Sequence, residues 1–368
     1  MGYERDNIRQ LHAYVPGEQP QTTDVVKLNT NENPYPPPPA VVEAVRAVTA
    51  DQLRRYPPPR ADRFREAAAH AHGLAPEQVI ATHGGDELLR LAITVFCAPL
   101  RSDATPPRTG GLGIADPSYS LYPILAAIHD TPLRTIALDE NFALPADFAE
   151  RLNDAGCRLA MIVNPHAPSG RLEPIETLRA IAQKFNGVVL IDEAYVDFAE
   201  RDALPLITNG EFDNVLLLRS MSKGYSLAGL RLGYGIGHPD LITALDKARD
   251  SYNLNIVAQT AAAAALAHRD TVRESWRKVV AERRRITDAL AGMGWSILPS
   301  QSNFILATPP AAGPSARQLH ESLKQQAIFV RYFDQERLDD RLRITIGTPE
   351  QNDALLNGIA NCRLPIAD

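Results

Sequence analysis

Short continuous apolar runs recur along the first 240 or so positions, with longer amphipathic stretches between them. The runs at 79–82, 113–115, 133–138, 159–163, 188–191 and 215–218 lack polar alternation, so they read as strands buried on both faces. Between them the spacing predicts helices over 83–98, 118–128, 145–153 and 174–185. Strands of this kind alternating with helices predict an α/β fold with a largely parallel sheet. The first 40 residues look irregular. Tyr14-Val15-Pro16-Gly17 is turn-like, the prolines at 36–39 form a rigid extended element, and a helix follows over 39–50. Beyond Pro239 the pattern changes. Helices are predicted over 255–268 and 271–293, followed by short strands at 295–298, 304–307, 328–330 and 342–346. Helices near 315–326 and 350–361 lie among these strands. This reads as a smaller α/β domain, with the long helix as a bridge. The expected division is an arm (1–38) joining the small domain, a large domain (39–250) and a small C-terminal domain (251–368).

Composition narrows the function classes. The chain has 368 residues, 45% apolar and 22% charged, with a net charge of −6. That suits a two-domain globular enzyme. It argues against a nucleic-acid partner, which would demand basic patches. Three widely spaced cysteines (Cys97, Cys157, Cys362) suggest neither a disulfide framework nor a zinc site, and point to a reducing cytoplasm. No run approaches the ~20 apolar residues that span a membrane. His70 and His72 sit two apart on a helix and diverge, so no metal pair is expected.

The richest segment runs from Ser220 to Arg231. Lys223 follows the apolar run 215–218 and lies among Ser220, Ser222, Ser226 and glycines. A lysine at the end of a buried strand is partly desolvated, which lowers its pKa and leaves an amine able to attack a carbonyl. Hydroxyls and the forked guanidinium of Arg231 suit a phosphate. A nucleophilic amine beside a phosphate site points to pyridoxal 5′-phosphate held as a Schiff base. Other segments fall at comparable strand ends. Gly84-Gly85-Asp86 opens a helix, where backbone N–H groups favour an anion, though Asp86 and Glu87 could equally be caps. Asp192 ends the strand 188–191 and would keep a pyridine nitrogen protonated, or else cap the next element. Tyr195 lies close behind it. Tyr119 could stack on a flat heterocycle. Arg343 sits in a strand with apolar neighbours and needs an anionic partner, either a substrate carboxylate or a structural acid.

In order, these segments resemble the class I/II aminotransferases of pyridoxal-phosphate fold type I, most closely the histidinol-phosphate aminotransferase branch. The likeness runs from about residue 14 to 347. It is carried by Ser-x-Ser-Lys with Ala-Gly-Leu-Arg, by Asp192-Glu193-Ala194-Tyr195, and by Leu342-Arg343-Ile344-Thr345-Ile346-Gly347-Thr348. Asn31-Glu32-Asn33-Pro34 and Arg54-Arg55-Tyr56-Pro57 add to it. The resemblance implies a large domain with a mostly parallel seven-stranded sheet and a smaller C-terminal domain. It implies that Lys223 forms the Schiff base and moves the proton, that Asp192 pairs with the ring nitrogen, and that Tyr195 donates to the phenolic oxygen. Tyr119 would stack on the ring. Gly85, Asp86, Ser220, Ser222 and Arg231 would hold the phosphate, and Asn164 would lie against the cofactor. Tyr56 would reach the phosphate in a neighbouring subunit, which implies a homodimer with shared sites. Arg343 and Arg331 would bind substrate anions, and Tyr14 and Asn31 would close over substrate.

One departure stands out. Where the family carries an asparagine that donates to the phenolic oxygen, this chain has Ala167. Losing a donor to a phenolate raises the pKa of the attached imine, so Asn164, His166 or a water is expected to compensate. The implied reaction is transamination of histidinol phosphate with 2-oxoglutarate. An aromatic amino acid aminotransferase or a threonine-phosphate decarboxylase of cobamide synthesis would share most of these motifs.

Overall fold

The computed structural model describes residues 2–13, 17–20, 22, 24–99 and 110–362. Tyr14 lies outside the described residues. The chain begins with α1 (Asp6–Arg9), β1 (Val26–Lys27), α2 (Pro39–Arg46), α3 (Ala50–Leu53) and α4 (Asp62–His72). Alternation follows: β2 (Val79–Thr82), α5 (Gly84–Phe96), β3 (Gly111–Asp116), α6 (Leu121–Ile128), β4 (Leu133–Ala137), α7 (Phe148–Asp154), β5 (Cys157–Val163), α8 (Ile175–Lys184) and β6 (Val188–Asp192). Then come α9 (Pro205–Thr208), β7 (Val215–Ser220), β8 (Gly233–Gly237), α10 (Pro239–Ala248), α11 (Ile256–Ala267) and α12 (Arg269–Gly292). The C-terminal part holds β9 (Ser296–Ile297), β10 (Phe304–Thr308), α13 (Ala316–Gln325), β11 (Ile328–Phe329), β12 (Arg331–Tyr332), β13 (Leu342–Thr345) and α14 (Pro349–Asn361).

Seven strands form the large sheet in the order β2-β8-β7-β6-β5-β3-β4. Neighbours pair parallel except β8, which runs antiparallel between β2 and β7. The strands β5, β6 and β7 are buried almost throughout because helices cover both faces of the sheet. Between β3 and β5 the order of the sheet reverses, and the carboxyl ends of the strands beside such a reversal frame a crevice. Two expectations differ from the structure. The pattern of the run 133–138 predicts a buried strand, yet β4 is the sheet edge and only Ile136 of it is buried. The Gly233 to Gly237 segment, not foreseen as a strand, is β8.

The second sheet has the order β12-β13-β10-β9, and β1 pairs with β11 in parallel beside it. The N-terminal segment therefore joins the small domain through Val26 and Lys27. Helix α11 packs on α2 and α4, so it belongs with the large layer although it follows residue 250. The 24-residue α12 carries the chain across, touching the 196–198 turn at one end and β9, β10 and α14 further on.

Candidate active site

Lys223, Asp192, Tyr195 and Arg231 meet in one cavity of about 250 Å³ between the carboxyl ends of the large-sheet strands and the small domain. Lys223, Asp192 and Tyr195 arrive because a strand stops at or shortly before each, and Arg231 because the antiparallel β8 starts just beyond it. Asp192 is the last residue of β6, Ser220 ends β7 with Ser222 and Lys223 just beyond, and Tyr119 follows β3.

The Lys223 Nζ donates to the Thr30 carbonyl at 2.9 Å, which ties it to the N-terminal segment. Burial, helped by the nearby Arg343 cation, lowers its pKa to about 8. Asp192 behaves in the opposite sense. Burial raises its pKa to about 6, against the pull of two donors: Ala194 N–H to Oδ1 (3.0 Å) and Tyr122 O–H to Oδ2 (2.9 Å). Tyr122 is fully buried, and its ring meets Tyr119 edge-on at 5.6 Å. Sequence reasoning passed over Tyr122. Its only signal was a second aromatic ring three residues after Tyr119, in the first turn of α6.

The opposite end of the cavity is built for an anion. Gly84 and Gly85 begin α5, whose first amides have no partner inside the helix. Gly84 has φ +76°, and a Cβ there would stand 3.0 Å from Arg231 Nη2. Arg231 itself adopts φ +51°, uncommon for a non-glycine residue, which turns its guanidinium toward that helix start. It reaches Ser222 Oγ at 3.3 Å and the Asp86 carboxylate at 3.4 Å, both long contacts. The Ser220 hydroxyl accepts the Ser222 N–H at 3.1 Å. A tight cradle of amides, hydroxyls and a guanidinium at one end, and a lysine and a buried carboxylate at the other, fit a phosphorylated pyridine aldehyde.

On the small-domain side, Arg331 and Arg343 are Cα partners across the antiparallel pair β12–β13 and both line the cavity. Directly opposed like charges repel, and an anionic ligand in the cavity would relieve that repulsion. Arg343 donates to the Asn29 carbonyl at 2.9 Å and lies over the rings of Phe304 and Phe333.

Three expected residues lie apart. Asn164 is buried but does not line the cavity, and its Oδ1 accepts the Glu173 N–H at 2.8 Å. His166 is also committed: Nε2 meets the Pro117 carbonyl at 2.9 Å and must carry the proton, while Nδ1 takes the Ser169 hydroxyl at 2.7 Å. Burial lowers its pKa to about 4. Neither side chain faces the space beside Ala167, which does line the cavity. Tyr56 is 81% exposed and stacks on Tyr252, with ring centroids 4.5 Å apart. Asn31 is in the cavity, where its Nδ2 donates to the Tyr195 hydroxyl at 3.1 Å. Among the described residues no group of three His, Cys, Asp or Glu side chains is placed to hold a metal ion.

Comparison with known proteins agrees with this arrangement. The chain is 42% identical over 358 residues to histidinol-phosphate aminotransferase 1 of Trichormus variabilis, covering 97% of this chain and 98% of that protein. It is also 42% identical over 361 residues to histidinol-phosphate aminotransferase 1 of Burkholderia pseudomallei, covering 96% and 97%. The crystal structure of histidinol-phosphate aminotransferase from Sinorhizobium meliloti in complex with pyridoxal-5′-phosphate superposes with a TM-score of 0.84 at 26% identity, covering 98% of each chain. With the profile of aminotransferase class I and II matching residues 23–359, the chain belongs to the class I and II aminotransferase family.

Proposed function

We propose that the protein is a pyridoxal-phosphate-dependent aminotransferase that moves the amino group of histidinol phosphate to 2-oxoglutarate, giving imidazole acetol phosphate and glutamate. The reading is carried by the convergence, in one cavity, of the Lys223 amine, the Asp192 carboxylate, the anion cradle and two arginines on the facing wall. The relatives at about 40% identity over nearly their full length carry the histidinol-phosphate aminotransferase name.

Bound pyridoxal phosphate supplies an electron sink that acidifies the substrate Cα–H bond. The chain's own residues do the rest. Lys223, its amine lowered to about 8, would hold the cofactor and, once displaced by the substrate amine, would move the proton between Cα and C4′. Asp192 is braced as a carboxylate by Tyr122 and the Ala194 amide, and holds the ring-nitrogen proton. The start of α5 with Ser220, Ser222 and Arg231 fixes the phosphate, and Tyr119 covers the ring. Tyr195 donates to the phenolic oxygen. The Arg331–Arg343 wall suits both half-reactions, because one substrate brings a phosphate monoester and the other carboxylates. Phe304 and Phe333 flank Arg343 and restrict water there.

The reading includes a homodimer in which the exposed Tyr56 serves the phosphate site of the partner subunit. It also includes a cytoplasmic setting, where Cys97, Cys157 and Cys362 remain thiols. No helix among the described residues is long and apolar enough to cross a membrane.

The test is a panel of amines mixed with the cofactor-loaded protein in single turnover. Histidinol phosphate is expected to bleach the visible cofactor band at least ~10-fold faster than phenylalanine, tyrosine or threonine phosphate, with no carbon dioxide released. Faster conversion of an aromatic amino acid, or carbon dioxide from threonine phosphate, would overturn the substrate. Lys223→Ala is expected to abolish multiple turnover.

A further inference from the structure

Asn31 is 1% exposed, has φ +56°, and is fixed from three directions by the small domain. Its N–H donates to Thr345 Oγ1 at 3.0 Å. The Thr345 hydroxyl donates back to Asn31 Oδ1 at 2.9 Å. Asn303 Nδ2 donates to the Asn31 carbonyl at 2.9 Å. The carboxamide NH2 then points across the domain boundary to the Tyr195 hydroxyl at 3.1 Å. The amide orientation follows from satisfying buried groups. Flipping it would put two donors on the Thr345 oxygen and withdraw the acceptor of that hydroxyl's proton. Tyr195 is held from the same side by Phe304, whose ring meets it edge-on at 5.0 Å. Phe304 follows Asn303 directly in the chain, so one segment of the small domain both packs on the Tyr195 ring and holds the Asn31 that meets its hydroxyl.

We propose that Asn31 is a positioning residue that sets the hydrogen-bond polarity of Tyr195: by filling a lone pair of the hydroxyl it directs the Tyr195 proton away from the small domain and strengthens it as a donor toward the cofactor's phenolic oxygen. The inference rests on the Tyr195 role given above. A hydroxyl that accepts one bond donates the next more strongly. This is the support that Ala167 withholds from its own side of the cavity, and that Asn164 and His166, both committed elsewhere, do not supply. It also makes the tuning of the cofactor depend on the small domain being seated.

Asn31→Asp keeps the shape of the side chain, and its Oδ1 can still take the Thr345 proton. It replaces the donor aimed at Tyr195 by an acceptor, which would draw the Tyr195 proton to itself. The readout is the pH midpoint of the bound cofactor's visible band, because loss of a donor to the phenolate raises that midpoint. It is measured for Asn31→Asp, Tyr195→Phe and the double variant. Asn31→Gly, which tolerates the positive φ, and thermal unfolding of each cofactor-free protein report on the fold.

Asn31→Asp and Tyr195→Phe are each expected to raise the midpoint by about one pH unit. The double variant is expected to lie no higher than Tyr195→Phe alone, since both changes remove the same proton. Asn31→Gly is expected to move it upward by less. A further rise in the double variant would show a plain charge effect of the new carboxylate and overturn the proposal. So would an unchanged midpoint in Asn31→Asp while Tyr195→Phe raises it, an outcome that leaves the Tyr195 role standing. An unchanged midpoint in Tyr195→Phe would instead overturn the role of Tyr195 itself.

Discussion

Lys223 and Asp192 have opposite charges, yet burial moves both toward neutrality, the lysine down to about 8 and the aspartate up to about 6. The lysine shift has a kinetic consequence. Only the neutral amine attacks an aldehyde, so capture of pyridoxal phosphate by the cofactor-free protein is expected to speed up about tenfold per pH unit below pH 8 and level off above it. An ordinary surface lysine would continue to accelerate toward its usual value near 10.4. Stopped-flow absorbance across pH 6–10 tests this, and a rate still climbing steeply at pH 9.5 would contradict the desolvated setting of Lys223. Lys223 and Asp192 were legible in the sequence because each is a polar residue at or just past the end of an apolar run, and Arg231 because a guanidinium follows Lys223 eight residues on in a segment rich in hydroxyls. Tyr122 and the partner of Asn31 were not. Tyr122 reads as an ordinary apolar-face residue of α6, and its acceptor lies 70 positions away. Asn31 reaches Tyr195 across 164 positions, which no local pattern encodes.

The neighbouring strands β6 and β7 carry a buried ionic group beneath the site. Arg219 Nε lies 2.8 Å from Glu193 Oε2, and its Nη2 lies 3.0 Å from Asp202 Oδ2, with Arg219 and Glu193 almost wholly buried. Burial raises Glu193 to about 7 and Asp197 to about 6, while the acids hold Arg219 firmly charged. Removing the cation leaves the buried Glu193 without its ion-pair partner, and broken buried pairs cost about 3–5 kcal/mol. Arg219→Met is therefore expected to lose roughly that much stability at pH 8, measured by denaturant unfolding of the cofactor-free protein. The sign with pH follows from folded pKa values that lie above the unfolded ones. Below the unfolded values the acids are neutral in both states and cost little. The penalty grows as pH rises through about 6 to 7 and beyond. The loss should thus be smaller at pH 5 than at pH 8, and an equal loss at both would show that packing rather than charge is responsible. The strands β5, β6 and β7 were legible because burial on two faces leaves an unbroken apolar run in each, at 159–163, 188–191 and 215–218. The strand β8 was not, because its glycines hide it. A Cβ at Gly233 would come within 2.8 Å of the Gly84 backbone, so the approach of the phosphate cradle to β8 excludes the side chains by which strands are recognised.

That a second, smaller sheet follows the seven-stranded one could be read from the change of pattern beyond Pro239. The assignment of α11 could not, since an alanine-rich helix buried on most sides shows no preferred face, and only its packing on α2 and α4 places it with the large layer. Assembly is the remaining level, and Tyr56 is where it can be tested. Tyr56 and Tyr252 form an exposed stacked pair, with Leu53 exposed nearby in sequence, and Tyr56 is absent from the lining of its own chain's cavity. If Tyr56 completes the phosphate site of a second copy, Tyr56→Ala should weaken cofactor binding by about 10-fold or more, the loss of one hydrogen bond to a charged group. The decisive experiment mixes subunits. Lys223→Ala lacks the amine but keeps Tyr56, and Tyr56→Ala keeps the amine. A mixed dimer would hold one site with both groups and one with neither. Co-expression in equal amounts is expected to restore about a quarter of the wild-type activity, because half of the dimers are mixed and each has one complete site of two. Isolated Lys223→Ala should remain inactive. If each chain builds its site alone, every site in the mixture lacks one group, and the mixture would show no more than half the activity of Tyr56→Ala by itself.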